Sequence, residues 1–313
     1  MSSATPDASN FAVSERRVFA LSQKRLEKFA SLFPRVLIRN DSETIHDARV
    51  WSRRLQQILR VLFPKPARKK SRKLIRMLRR VRRALGDCRN LDVIMELIQE
   101  KIDAASNPVV RDAWDQLKVR VQEKQKRELM RAREELSRYD IVDFVNCTQA
   151  LLGSAELSED LQRTLIESIA RARRDWNQAV DDAKQDQEPD RLHALRIAGK
   201  RLRYRVELLA ELGDSSAQAQ IKPLKTLQEQ LGQWHDRYVL SQFVGAFLGR
   251  KNFLANHPDL SRALLVEMER ERRRNHAVVT NILRSAEKTK ESWDAGESDI
   301  PQEAPKDVSA LSS

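Results

Sequence analysis

Two histidines each head a run of cations at helical intervals, a pattern suited to holding an anion. In IHDARVWSRRLQQILRVL, residues 45 to 62, His46 is followed by Arg49, Arg53, Arg54 and Arg60. In LHALRIAGKRLRYRVELL, residues 192 to 209, His193 is followed by Arg196, Lys200, Arg201 and Arg203. Side chains on a helix rotate by about 100° per residue. His46, Arg49, Arg53 and Arg60 therefore share one narrow face, opposite Trp51, Leu55, Ile58, Leu59 and Leu62. His193, Arg196, Lys200 and Arg203 do the same against Leu195, Leu202, Val206 and Leu209. Each segment is a basic ridge on an apolar back. Such a ridge holds anions, because guanidinium forks grip phosphate or carboxylate oxygens in pairs and lysine supplies point charges.

A third basic segment, KPARKKSRKLIRMLRRVRRALG, sets Arg72, Arg76, Arg79, Arg80 and Arg83 beside a stripe of Leu74, Met77, Leu78, Val81 and Leu85. No acidic residue occurs from Ala48 to Gly86. A merely solvated helix mixes Glu with Lys and Arg to gain pairs one turn apart, as this chain does in RVQEKQKRELMRAREELSR and LVEMERERRRN. Like charges on one face repel by a few tenths of a kcal/mol per pair, so the unmixed ridges imply a counterion or ligand. One histidine per ridge among arginines makes a poor metal site. It makes a serviceable phosphate contact, donating both ring N–H groups once an anion favours its protonated form. No metal and no cofactor are expected.

Catalytic motifs are missing from the sequence: there is no phosphate-binding Gly loop, no G-x-S-x-G and no H-E-x-x-H. Asp87, Asp92 and Asp236 follow two Leu-Gly pairs, where they could orient arginines or cap a following helix. Binding without catalysis is the expectation.

The elements that must position these ridges are helices. The chain has 313 residues, 41% of them hydrophobic and 33% charged, with only 8 Gly and 10 Pro, which favours long helices and essentially no strands. Apolar residues recur at three and four, and breaks are predicted at Pro34, Pro64 with Pro66, Pro108, Gly153, Pro189, Gly213 and His257-Pro258, giving roughly ten helices. Residues 1 to 12 and 290 to 313 read as disordered tails, the second of them acidic. The two cysteines, Cys88 and Cys147, suit a reducing compartment. No secretory signal or membrane span is read, so cytoplasmic residence is expected. A net charge of +13 favours negatively charged partners.

Self-comparison supplies the organisation. Residues 45 to 62 align without a gap on 192 to 209, pairing His46 with His193, Arg49 with Arg196, Arg53 with Lys200 and Arg54 with Arg201. LGDCRNLDVI from Leu85 aligns on LGQWHDRYVL from Leu231 at an offset one residue shorter. Two matched motifs in one order predict an all-α protein, a duplicated helical bundle with internal pseudo-two-fold symmetry, with repeat 1 about 13 to 150 and repeat 2 about 158 to 289.

The paired pattern H-x-x-R-(V/I)-x-x-(R/K)-R-L, each copy followed by L-G-x-x-(R/H)-(D/N) closing a helix, resembles the CHAD family, the conserved histidine α-helical domain, over most of residues 15 to 285. The resemblance implies two pseudo-symmetric bundles around a basic central channel that binds inorganic polyphosphate. The implied contacts are His46, Arg49, Arg53, Arg54 and Arg60 in the first copy and His193, Arg196, Lys200, Arg201 and Arg203 in the second. Arg76, Arg79, Arg83, Lys222 and Lys225 join them from charge and position. Two departures from the family pattern stand out. No E-x-E-x-K signature of a fused triphosphate-tunnel domain is found, and Arg89-Asn90 stands where Arg-Asp is usual. Association with polyphosphate granules would follow from such binding. The alternatives are a nucleic-acid binder on the same surface or a phosphatase or polyphosphate-metabolising enzyme. Aromatic content of 5%, with Tyr204 alone beside a ridge, offers little of the stacking that single-strand binders use.

Overall fold

The computed structural model describes residues 14–39, 41–63, 69–154, 160–250 and 253–297. Among them there are ten helices and no strand. In chain order they are α1 (Glu15–Ile38), α2 (Ser42–Leu62), α3 (Lys69–Ala104), α4 (Pro108–Leu136), α5 (Ile141–Gly153), α6 (Asp160–Gln185), α7 (Pro189–Leu212), α8 (Ser215–Leu248), α9 (Phe253–Asn256) and α10 (Pro258–Glu297). None is long and apolar enough to cross a membrane.

The boundaries follow local chemistry. Asp41 caps α2 by accepting from the backbone N–H of Glu43 at 3.0 Å, and Asn107 caps α4 through Val109 N–H at 2.8 Å. Pro108 and Pro189 occupy first-turn positions, where a missing N–H leaves no hydrogen bond broken. Gly213 ends α7 in the left-handed region, φ 115°, which a side chain would resist, and Asp214 then caps α8 through Ala217 N–H at 3.0 Å. Pro34 does not break α1: it lies in the last turns of that helix, where buried Leu32, Phe33 and Val36 hold the backbone helical. The predicted break at Pro64 and Pro66 and the N-terminal tail of residues 1 to 12 lie outside the described residues.

The C-terminal boundary also moves. α10 continues past residue 290 to Glu297 because its last turns have somewhere to pack: Lys290 Nζ meets Asp181 Oδ1 at 2.6 Å, and Trp293 lies against the second core. Residues 298 to 313 lie outside the described residues.

Helix neighbours repeat in order. α1 packs on α2, α2 on α3 and α3 on α4, while α6 packs on α7, α7 on α8 and α8 on α10. Three apolar cores result. The first joins α1, α2, the first half of α3, α5, the start of α6 and the ends of α4 and α7, around Phe29, Leu55, Leu78 and Phe144. The second joins α6, α7, the first half of α8 and the end of α10, around Trp176, Leu195, Leu202 and Ile282. The third is shared, built by the second halves of α3 and α8 with α4 and the start of α10, around Ile98, Trp114, Val244 and Leu264.

α3 and α8, at 36 and 34 residues, are each about 50 Å long and run from one half's own core into the shared one. The Leu85-Gly86 and Leu231-Gly232 pairs therefore do not close helices. Leu85 belongs to the first core and Leu91 to the third, and Leu231 belongs to the second and Leu240 to the third. The paired motif marks the crossing point on each long helix.

Candidate functional site

The ridge helices meet across the contact between the halves. α2 touches both α6 and α7 there, and a cavity of about 620 Å³ opens among α2, α3, α6 and α7. Arg53 and Arg60 of α2, Arg72 and Arg82 of α3, Arg171 of α6, and Lys200, Arg201 and Arg205 of α7 line it. Among the described residues no carboxylate does. Arg60, Arg72, Arg171 and Arg201 are exposed, whereas Arg53, Arg82, Lys200 and Arg205 are partly buried.

These guanidinium groups are held mainly by neutral acceptors. Arg53 Nη1 donates to Tyr204 Oη at 2.7 Å, a bond that joins the halves, and its guanidinium sits 5.2 Å from the Tyr204 ring centroid. Arg82 donates to the Ser52 carbonyl at 3.3 Å and to the Gln56 side chain. Arg205 Nε donates to Ser168 Oγ at 2.6 Å. Arg171 has a carboxylate partner one turn away, Glu167 at 3.5 Å, with both side chains more than half-exposed or close to it, so that pair is weak.

Behind the cavity the ridges come within electrostatic reach of each other. Burial, followed by repulsion from Arg196 and Arg53, pushes Lys200 down to about 7. Burial and then Arg53, Arg60 and Arg49 push Arg82 down to about 9, and burial with Arg53 and Arg89 pushes Arg49 to about 10. Arginine keeps its proton at neutral pH, so for arginine the lowering expresses first the cost of burying the charge and then repulsion from its cationic neighbours. Arg49 Nη1 donates to the Arg82 carbonyl at 2.6 Å, crossing α3 where a Cβ on Gly86 would meet it at 3.3 Å.

His46 and His193 are exposed and do not line the cavity. His46 and His193 are both lowered, first by burial and then by Arg89 and Arg196 respectively. His235 of α8 has its ring 5.1 Å from that of His193, and burial followed by Arg196 pushes it down to about 4. Asp236 sits near Arg196 and Lys200, and burial raises its carboxyl although both cations oppose this. It is the acidic counterweight of the cluster, not a helix cap. Arg89 pairs with Glu96 at 3.4 Å. Among the described residues no group of three or more His, Cys, Asp or Glu is placed to hold a metal ion.

Of the predicted contacts, Arg53, Arg60, Lys200 and Arg201 reach the cavity, and His46, Arg49, His193 and Arg196 gather behind it. Arg79 lies at its edge, close enough to lower both Arg60 and Arg82. Arg203 does not face the cavity: it pairs with Glu207, donates to Gln228 at 2.5 Å and stacks on Tyr204 at 4.4 Å. Arg54 turns to the Trp51 ring, 5.0 Å away. Arg76, Arg83, Lys222 and Lys225 are exposed and are not part of the lining.

Arg82, Arg171 and Arg205 are additional lining residues. Arg82 and Arg205 fall off the face defined by the histidines, and Arg171 lies in a helix whose mixed charges look merely solvated. Arg72 belongs to the third basic stripe and lines the cavity, unlike the expected contacts Arg76, Arg79 and Arg83 of the same stripe.

Among the described residues, then, the protein is an all-α array of ten helices whose cavity between α2, α3, α6 and α7 is lined by cations and by no carboxylate. The sequence matches the CHAD domain family over residues 20–245, and the chain belongs to that family. In fold it is similar to the CHAD domain from the plant Ricinus communis seen by crystallography, with a TM-score of 0.62 and 18% identity, covering 88% of this chain and 97% of that one. Comparison with curated proteins finds no match.

Proposed function

We propose that this protein binds inorganic polyphosphate in the cavity between α2, α3, α6 and α7, and that it does so without catalysing a reaction. One observation carries the reading: cations from both halves, Arg53 and Arg60 with Lys200 and Arg201, line one space that no carboxylate enters among the described residues. Cations gathered in one space repel one another, most strongly where burial thins the water around them, as at Arg53 and Lys200. A flexible polyanion relieves that repulsion along its length, releasing its own counterions as it enters. The neutral histidines behind the cavity become double donors when the anion restores their protons. In this reading the two ridges flank a basic channel, and the protein works in the cytoplasm, where binding would draw it to polyphosphate granules.

The test is titration of defined-length polyphosphate into the wild type and into Arg60→Glu/Arg201→Glu. Both side chains are exposed, so the fold is spared. The expected result is a loss of affinity of at least about tenfold, some 1.4 kcal/mol. Undiminished binding overturns the proposal. Oligonucleotides that displace polyphosphate at equal charge concentration would favour a nucleic-acid binder. Phosphate release with Mg²⁺ or Mn²⁺, abolished by His46→Ala or His193→Ala, would favour an enzyme.

A further inference from the structure

The cavity has more than one kind of wall. Between its cations lie Val61, Phe63 and Ile75, which pack against the first core and are partly exposed, and Ile197, also partly exposed; a naked phosphate chain makes no apolar contact with such a wall. Ile197 belongs to none of the three cores, so its exposure is not the fringe of a packed region. Gln56 adds a polar signal: it lines the cavity at 4% exposure, its amide oxygen accepts from Arg82, and its Nε2 is buried with no acceptor. A buried donor left unsatisfied is destabilising, and an acceptor supplied by a ligand would remove that penalty. At about 620 Å³ the cavity falls within the range of sites that enclose a compact organic molecule.

From these features we infer that the cavity takes a nucleoside polyphosphate, with the phosphoanhydride chain on the cations and the flat base on the apolar floor near Gln56. A lipid is a poorer fit, since its tails would have to cross the exposed ring of Arg60, Arg72, Arg171 and Arg201. A planar base, by contrast, stacks well on guanidinium groups and offers ring acceptors to an amide. The inference rests on the cavity being a polyanion site.

The experiment compares adenosine and guanosine triphosphate with inorganic tripolyphosphate by calorimetry on the full chain. Tripolyphosphate carries no less charge than either nucleotide, so electrostatics alone gives the nucleotides no advantage. The expected result is that at least one nucleotide binds roughly tenfold more tightly, the effect of a modest apolar burial. Ile197→Ser should erase that advantage and leave tripolyphosphate affinity unchanged. Equal or weaker nucleotide binding, or an advantage that survives in Ile197→Ser, overturns the inference.

Long-chain polyphosphate in the same assay separates this outcome from the broader one. If it binds while nucleotides show no advantage, only the inference falls. If no phosphoanhydride binds, both fall. Nucleotide binding without long-chain binding supports the inference and removes polyphosphate as the ligand.

Discussion

Lys200 shows what burial among other cations does to the fold. Its ammonium is pushed down to about 7 by burial and by Arg196 and Arg53, while the unfolded chain holds the same proton into the ordinary lysine range. Between those values the unfolded state binds more protons, so stability rises with pH; below about pH 7 the destabilisation is present in full. Lys200→Met should therefore raise the melting temperature near pH 6.5, with the gain shrinking toward pH 10, and at the same time weaken polyphosphate binding. Differential scanning fluorimetry across that range checks the sign. For the wild type, affinity should fall as pH rises above about 7, since the anion binds best when Lys200 is charged. A second buried cation behaves differently. Arg25 is 1% exposed and joins α1, α2 and α7 through Glu211 at 2.7 Å and the Arg54 carbonyl at 2.8 Å. Glu211→Leu leaves that charge buried and should destabilise by about 2 kcal/mol, discounted because Glu211 is partly exposed, and by more than Arg25→Leu. Urea denaturation of the two variants orders them.

On the scale of elements, glycines show how closely the ridge helices are fitted. A Cβ on Gly199 would lie 2.8 Å from the ring of Trp176, which is 1% exposed and cannot retreat. Gly→Ala inside a helix ordinarily stabilises by about 1 kcal/mol. Gly199→Ala should instead destabilise by roughly 1–3 kcal/mol through overpacking of α6 against α7. Gly232→Ala, with nothing within 4 Å, should show the ordinary gain. Chemical denaturation of both variants tests whether close helix approach, and not the residue type, decides the sign. The same fit explains why Leu-Gly reads as a helix end in the sequence and is helix interior in the fold. Glycine is a break signal in isolation, whereas here α3 and α8 are held helical on both sides by packing, and Gly86 leaves room for Arg49.

For the whole molecule, the shared core ties the halves together. Because α3 and α8 each begin in one half's own core and end in the common one, loss of the common core should loosen both halves at once. Trp114 is fully buried there. Trp114→Ala should cost about 3–5 kcal/mol, and calorimetry should still show one cooperative transition and not two separated ones. Two resolved transitions would mean that the halves fold independently. The net charge of +13 acts at the same scale: log affinity for polyphosphate should fall linearly with log salt, with a slope of about 0.7 per phosphate engaged if the chain behaves like a single strand.

Helical periodicity, the two His-headed ridges and their repetition were legible in the letters because each depends on neighbours three or four residues away, and that spacing fixes which side chains share a face. The all-α class and the family followed from the same local signals. Which members of each basic face look into a common space is set by the packing of the helices and by no local pattern. Arg53 and Lys200 do so, Arg203 is taken by Glu207, Arg54 lies on Trp51, and Arg82, Arg171 and Arg205 enter from helices or faces that no local count selects. The continuation of α10 past residue 290 is of the same kind, since Lys290 finds Asp181 more than a hundred residues earlier in the chain. A periodicity specifies a direction on one helix; the cavity depends on how four helices are rotated and spaced against one another, and core packing between distant segments sets that.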